Sequence, residues 1–299
     1  MKVITPVVLT DAMLISSTAP EPAAGETLWN AATAYAVGDL VYRAGVHRRY
    51  RRLVAGTTAT VPEDDTVNWA YIGGTNRWAM FDDTSAATVL ASPLTVVLAP
   101  GIINSLAILG LVGTQITVSM LDAPAGATVY SETVSLETSV VEDWYSYFFE
   151  PFSTRQAVVL TDLPPYTNCR LTISLTGAGS VSMAHCIVGT LYTLGATSYG
   201  ASAGIRDYSR KTTDEETGVV TLERRRFQKT LRAQFKLPDG AVNVVQQRIE
   251  ALRATPVVWL GDNGAGIEPL IVFGYYRDFS LQLQGWNESY YQLEVEGMA

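Results

Sequence analysis

The sequence predicts a mainly β, multidomain fold: a small β unit, a β-sandwich of jelly-roll type and a C-terminal α+β domain with one helix. Three observations predict it. Short runs that alternate apolar and polar residues recur between Pro and Gly punctuation. Aromatic residues crowd into the short stretch 25–74. A helical apolar stripe is clear at one place, near the C-terminal end. With 299 residues, 47% of them hydrophobic and 17% charged, the chain can bury two or three modest cores.

The elements follow in order. Residues 1–24 open as a strand, "VITPVVL", and run into "STAPEPAAGE", whose prolines and small residues read as a linker. Residues 25–74 hold the Gly-Asp turn of "AVGDLVY", the extended run "RRYRRLV" and the loop "VPEDDTVNW". A unit this small has little core of its own. Residues 75–204 form the predicted sandwich. In "QITVSML", Ile116, Val118 and Met120 share a face, and in "RLTISL", Leu171, Ile173 and Leu175 do. Residues 205–299 form the α+β domain. "RFQKTLRAQFKL" puts Phe227, Leu231, Ala233, Phe235 and Leu237 on one face. A helix then opens at Pro238 and Asp239, with Asp239 as N-cap and Val242, Val245, Ile249 and Leu252 as its stripe; "RATP" stops it. About four strands follow, the first two joined by the turn "GDNG".

Bulk properties exclude several classes. A net charge of −8 repels nucleic acid, so no nucleic-acid partner is expected. Basic residues cluster twice, as Arg43 to Arg52 around His47 and as Arg224 to Arg226 behind the acidic "TTDEETG". The uncharged stretch Thr84 to Leu121 is broken by Pro93, Pro100, Gly101, Gly110 and Gly113, so it reads as strands and no membrane insertion is expected. Asp11 interrupts the first apolar run, which argues against a secretion leader. Cys169 and Cys186 are read as half-buried thiols on neighbouring strands.

Catalytic groups are sparse. His47 lies among arginines, which would depress its pKa, and His185 and Cys186 point to opposite faces of a strand. The pairs Asp64 with Asp65, Asp82 with Asp83, and Glu142 with Asp143 read as loop solvation. No phosphate loop, dinucleotide fingerprint or HExxH motif occurs. The expectation is a protein that is not an enzyme, with no cofactor and no metal. In the arginine strand, Arg49 and Arg51 share one face and Arg48, Tyr50 and Arg52 the other. That strand could meet an anionic partner or serve as a charged edge guarding against aggregation.

The aromatic cluster has two readings. Flat rings pack against the apolar faces of sugars, and rings also build the core of a small domain. The order Trp29, Tyr35, Gly38-Asp39, Val41, Gly45, Tyr50, Pro62, Trp69 resembles the small chitin-binding-type carbohydrate-binding module of secreted glycosidases. With Tyr42 beside them, Trp29, Tyr35, Tyr50 and Trp69 are the candidate sugar-contacting residues. The interval from Gly45 to Tyr50 is longer than in that family, and Leu53 and Val54 stand where an exposed aromatic pair often follows.

Across nearly its whole length the chain also resembles a family of tailed-bacteriophage and prophage structural proteins. "ITPVVLTDAMLISS", "TNRWAMFDD", "DWYSYFFEP", "VVLTDLPPY", "RATPVVWLG" and "FGYYRDFSL" carry the likeness. The resemblance implies a virion tail component made in the bacterial host cytoplasm and placed at the tail tip, baseplate or fibre base. It implies other tail proteins as partners, copies arranged around the tail axis and a host-surface glycan as a further partner. Tyr275, Tyr276, Trp286, Tyr290 and Tyr291, in "FGYYRDF" and "WNESYYQLEVE", are the candidate partner interface. Two rival readings are a receptor-binding protein for cell-surface polysaccharide and a glycan-degrading enzyme with an acidic cleft.

Overall fold

The computed structural model describes residues 1–84, 86–138, 143–149, 154–214, 216, 218–237, 240–261, 268–283 and 289–298. Trp286, Glu142, Pro238, Asp239 and the "DNG" of the expected turn lie outside them. The fold is mainly β, in several sheets. It divides into two compact units, one of Val7–Val188 and one of Met1–Pro6 with Gly189–Ala299.

In the first unit, alternation decides the layers. Ile116, Val118 and Met120 are buried along Gln115–Leu121, and Leu171, Ile173 and Leu175 along Arg170–Thr176. These strands lie in a five-stranded sheet in the order Thr128–Ser135, Gln115–Leu121, Arg170–Thr176, Leu94–Leu98 and Leu14–Ser17. A second layer runs Ala157–Leu160, Ser105–Leu109 and the start of His185–Thr193. Side chains of both layers share one core, among them Leu94, Val96 and Leu98 from the first and Leu106, Ile108 and Val158 from the second. The chain changes layer at each connection from Leu94 to Leu160 except the hairpin joining Gln115–Leu121 to Thr128–Ser135.

Three local features differ from expectation. Leu14–Ser17, next to the expected linker, is a strand of the sandwich, paired with Leu94–Leu98. A six-residue helix, Trp144–Phe149, interrupts a segment read as strands alone. Cys169 and Cys186 are free and buried, and they belong to different layers of the sandwich core rather than to neighbouring strands. Burial pushes the Cys186 thiol up to about 12, so it is inert.

Residues 27–74 fold as a four-stranded sheet, in the order Thr27–Leu28, Leu40–Arg43, Arg48–Arg52 and Trp69–Gly74. Tyr35, Val41, Tyr50 and Trp69 are its core, with Trp29 packed against them. The arginine strand is therefore interior to its sheet and not an edge.

The second unit is an antiparallel sheet backed by a helix. Gly189–Thr193 pairs with Lys2–Pro6, which pairs with Val257–Leu260. Ile271–Leu283, Ser289–Gly297 and Phe227–Lys236 follow in that order. "PLIVFGYY" and "FSLQLQ", read as two strands, are one strand with a register shift between Tyr276 and Asp278. Among the described residues, three strands thus follow the helix instead of four. The helix spans Val242–Ala251, and its Val245 and Ile249, with Leu252 at the C-cap, share one buried core with Leu231, Phe235 and Leu293. Ala241 stands at its N-cap and makes no side-chain cap bond, while the expected cap, Asp239, is outside the described residues.

Candidate functional site

A cleft of about 400 Å³ opens in the first unit, where three stretches of chain meet. Leu9 and Asp11 come from the N-terminal segment. Gly45 to Arg48 come from the hairpin turn of the small sheet, and Tyr71 and Gly74 from its last strand. Trp78, Phe81 and Asp82 come from the 3-10 turn that follows.

His47 is the node of this cleft. It closes the loop between Leu40–Arg43 and Arg48–Arg52 with φ at 54°, in the left-handed region that non-glycine residues rarely occupy. Its Nδ1 lies 2.8 Å from Glu21 Oε1 and its Nε2 3.1 Å from Asp11 Oδ2. The ring stacks on Trp78 at 4.6 Å, and Glu21 also accepts a 2.7 Å bond from Thr75 Oγ1. Burial alone would lower the His47 pKa, but the Glu21 and Asp11 carboxylates outweigh it and the net shift is upward. The depression expected from neighbouring arginines is thus reversed: residues adjacent in sequence are not the ones the imidazole meets.

Asp82 fixes the opposite wall. Its Oδ2 accepts bonds from the Tyr71 hydroxyl, from Gly74 N at 2.8 Å and from Thr84 Oγ1 at 3.0 Å. Burial first, and Asp82 second, push the Tyr71 hydroxyl well above its ordinary pKa, so it stays a donor. The Asp83 carboxyl is raised by burial and by the charge of Asp82. His185 is buried, with Nδ1 3.2 Å from the Asp82 carbonyl, and burial lowers its pKa. The lining is thus rings and charges held by a bonded frame: Trp78, Phe81 and Tyr71 with His47, Arg48 and Asp11. Such a recess suits a ligand that has both apolar faces and hydroxyl or charged groups.

The candidate sugar residues sit elsewhere. Tyr35, Tyr42, Tyr50 and Trp69 are buried. Tyr35 meets Trp69 edge to face at 5.2 Å. Arginines cover ring faces: Arg43 lies over Trp29 at 4.9 Å, Arg52 over Trp69 at 4.8 Å and Arg48 over Tyr71 at 5.2 Å. Arg52 is 1% exposed and donates to the Gly56 carbonyl at 3.1 Å, while Arg43 pairs with Glu63 at 3.1 Å. Tyr35, Tyr42, Tyr50 and Trp69 are framework, with Arg52 buried over Trp69, while Arg48 lies beside Tyr71 in the lining of the cleft. Tyr71, Trp78 and Phe81 are not among the candidates the sequence selects. The signal is there in "YIGGTNRWAMFDD", but nothing in the sequence marks those rings as half-exposed.

The candidate interface rings divide in the same way. Tyr291 is buried, stacked on Phe279 at 4.4 Å, and its hydroxyl reaches Gln246. It is core and not interface, because the helix covers it. Tyr276 packs against the same core, edge to face with Trp259. Tyr290 is half-buried, and Trp286 lies outside the described residues. Tyr275 is partly exposed, and its hydroxyl bonds Glu296 at 3.2 Å. Glu296, itself 8% exposed, also holds Arg206 at 3.0 Å and Arg277 at 3.1 Å.

That carboxylate anchors an exposed element. Ser202–Asp207 pairs with the start of Phe227–Lys236, and the ladder continues as the hairpin Arg210–Thr213 with Val220–Glu223. Every residue of Ser202–Asp207, Arg210–Thr213 and Val220–Glu223 is exposed. The result is a two-stranded arm. Ile205 is 70% exposed, Leu222 73%, and Phe227 and Val220 about half.

Among the described residues there is no group of three or more His, Cys, Asp or Glu side chains placed to hold a metal, and no helix long and apolar enough to cross a membrane. Compared with known protein families and curated proteins, the chain matches no family model and no curated sequence.

Proposed function

We propose that this chain is a non-enzymatic structural component of a bacteriophage or prophage tail, at the tail tip, baseplate or fibre base. It is made in the bacterial cytoplasm and works in virion assembly with other tail proteins. The observation that carries this reading is the exposed arm. A two-stranded ribbon is marginal alone in water, and solvent-exposed Ile, Leu and Val on such a ribbon are a surface waiting to be covered. The whole-length resemblance in sequence supports the same reading.

Immunogold labelling of purified virions or induced prophage particles tests it. Gold at one end of the tail is the expected result. Particles that contain no copy of the chain would refute the reading.

A second reading, attachment to cell-surface polysaccharide, is favoured by the cleft. Trp78, Phe81 and Tyr71 beside Arg48 and Asp11 form the kind of lining a sugar ring needs. If it holds, Arg48→Ala, at an exposed position of the lining, weakens binding on a glycan array by at least tenfold while leaving the melting temperature near that of the parent. An array with no bound glycan removes attachment through this cleft and leaves the assembly role standing.

A further inference from the structure

We infer that the turn carrying Asp11 is a proton-operated strap on the cleft: the imidazolium of His47 holds it shut, and the neutral imidazole releases it. The inference concerns the free chain and stands apart from both readings above.

The first argument is the count of donors. His47 meets a carboxylate at each ring nitrogen, Glu21 at 2.8 Å from Nδ1 and Asp11 at 3.1 Å from Nε2. Only the imidazolium carries a hydrogen on both nitrogens. The neutral ring keeps one hydrogen and turns a lone pair to the other carboxylate, and the two repel. One of the two contacts therefore does not survive loss of the proton. The ring has little freedom to turn away, because it is stacked on Trp78 at 4.6 Å and the His47 carbonyl accepts from Thr75 N at 2.8 Å.

Exposure decides which contact breaks. The Glu21 side chain is 9% exposed and also accepts from Thr75 Oγ1 at 2.7 Å. Parting it from the ring would strand a buried charge, which is costly. The Asp11 side chain is 75% exposed, and among the described residues its carboxylate has His47 as its one partner. Water replaces such a contact at little cost. The Nδ1 contact also has the alignment of a hydrogen bond, while the Nε2 contact is a close ion pair without it. The remaining hydrogen stays on Nδ1, towards Glu21, and Asp11 is let go.

What moves is short. Met13 N and Leu14 N both donate to the Thr10 carbonyl and close the turn. Leu9 and Leu14, on either side, pack against the sandwich core, so movement is confined to residues 10–13. Asp11 lines the cleft beside Leu9 and His47, so its release widens the mouth there and leaves a free carboxylate at the rim. The other charged groups nearby are held elsewhere. Arg48 lies over Tyr71, Arg77 donates to the Ala19 carbonyl at 2.8 Å, and Asp82 accepts from Tyr71, Gly74 and Thr84. The charges that act on the imidazole are those of Glu21 and Asp11.

Linkage fixes the size of the effect. The factor by which losing the proton opens the strap equals the factor by which the closed strap tightens proton binding. For an exposed ion pair that factor is about threefold.

Two measurements on the full chain test this together. A nitroxide on Ala12→Cys, an exposed position beside Asp11, reports the mobility of the turn by electron paramagnetic resonance, and the native cysteines are buried. Histidine NMR on the same protein follows the His47 proton; His185 is buried and its pKa is lowered, so the two signals separate. The label should loosen between about pH 6 and about pH 8, with its midpoint at the His47 titration. In Asp11→Ala, at an exposed position, the label should be loose throughout. The His47 acid constant should then rise by the same factor as the change in the parent's closed-to-open ratio. A label equally mobile from about pH 5 to about pH 9, or one that loosens just as much in Asp11→Ala, overturns the inference. The experiment uses neither glycan nor virion, so its result is scored separately from the array and the immunogold labelling.

Discussion

His47 shows how a single residue joins distant stretches of chain. It sits between Glu21 and Asp11, in a backbone conformation that costs energy, and against Trp78. Its folded-state pKa lies above the ordinary 6.5. A raised value means that the imidazolium stabilises the fold fully below the unfolded pKa, and that this contribution disappears as pH rises through the folded one. The melting temperature of the parent should therefore fall from about pH 6 to about pH 8 more steeply than that of His47→Gln. Equal slopes in the two proteins would show that His47 carries no such linkage. Trp69 belongs to the same scale. It is 2% exposed and covered by Arg52, so Trp69→Ala should cost about 3–5 kcal/mol in denaturant unfolding. A loss under about 1 kcal/mol, by the same scale of core truncations, would return the ring to the surface. The sequence marks the ring cluster as a group. It does not say which rings face inward, because a strand alternates between two faces and only the partner strands decide which face is covered.

Among elements, strands with strict alternation were legible and interruptions were not. Gln115–Leu121 and Arg170–Thr176 bury the residues that their spacing selects. The helix Val242–Ala251 was legible from its stripe, since Val245, Ile249 and Leu252 recur at helical spacing. Trp144–Phe149 was not, because six residues are too few to display a period. Nor was the interior position of the arginine strand, where charge mimics an edge until the guanidinium groups find rings and carbonyls. The long strand Ile271–Leu283 holds a constraint that only structure discloses. At Gly274 a Cβ would come within 2.0 Å of the Glu296 carbonyl oxygen, and the Gly274 carbonyl accepts from Trp259 Nε1 at 3.0 Å. Gly274→Ala should destabilise the chain by about 2 kcal/mol or more, read from denaturant midpoints. A neutral outcome would mean that the neighbouring strand Ser289–Gly297 shifts freely. The Glu296 carboxylate, which holds Arg206 at the base of the arm, argues against such freedom.

For the whole molecule, the arm separates stability from assembly. Both units have their own cores, and the arm contributes little to either. Limited trypsin digestion should cut first around Arg224 to Arg226 and leave the remainder intact. First cleavage elsewhere would identify a weaker segment. The division of the chain into units was the least legible feature, because neighbours in sequence gave no warning that Lys2–Pro6 pairs with Gly189–Thr193 and Val257–Leu260. That pairing has a consequence for the ribosome. The stretch Val7–Val188 emerges with its own core complete and can close during translation. Lys2–Pro6 leaves the exit tunnel ahead of that stretch and must wait, unpaired, until the residues beyond Val188 have been made. It is thus a segment that a chaperone meets early and for long, and the rate at which the later strands are synthesised sets how long it remains available for wrong partners.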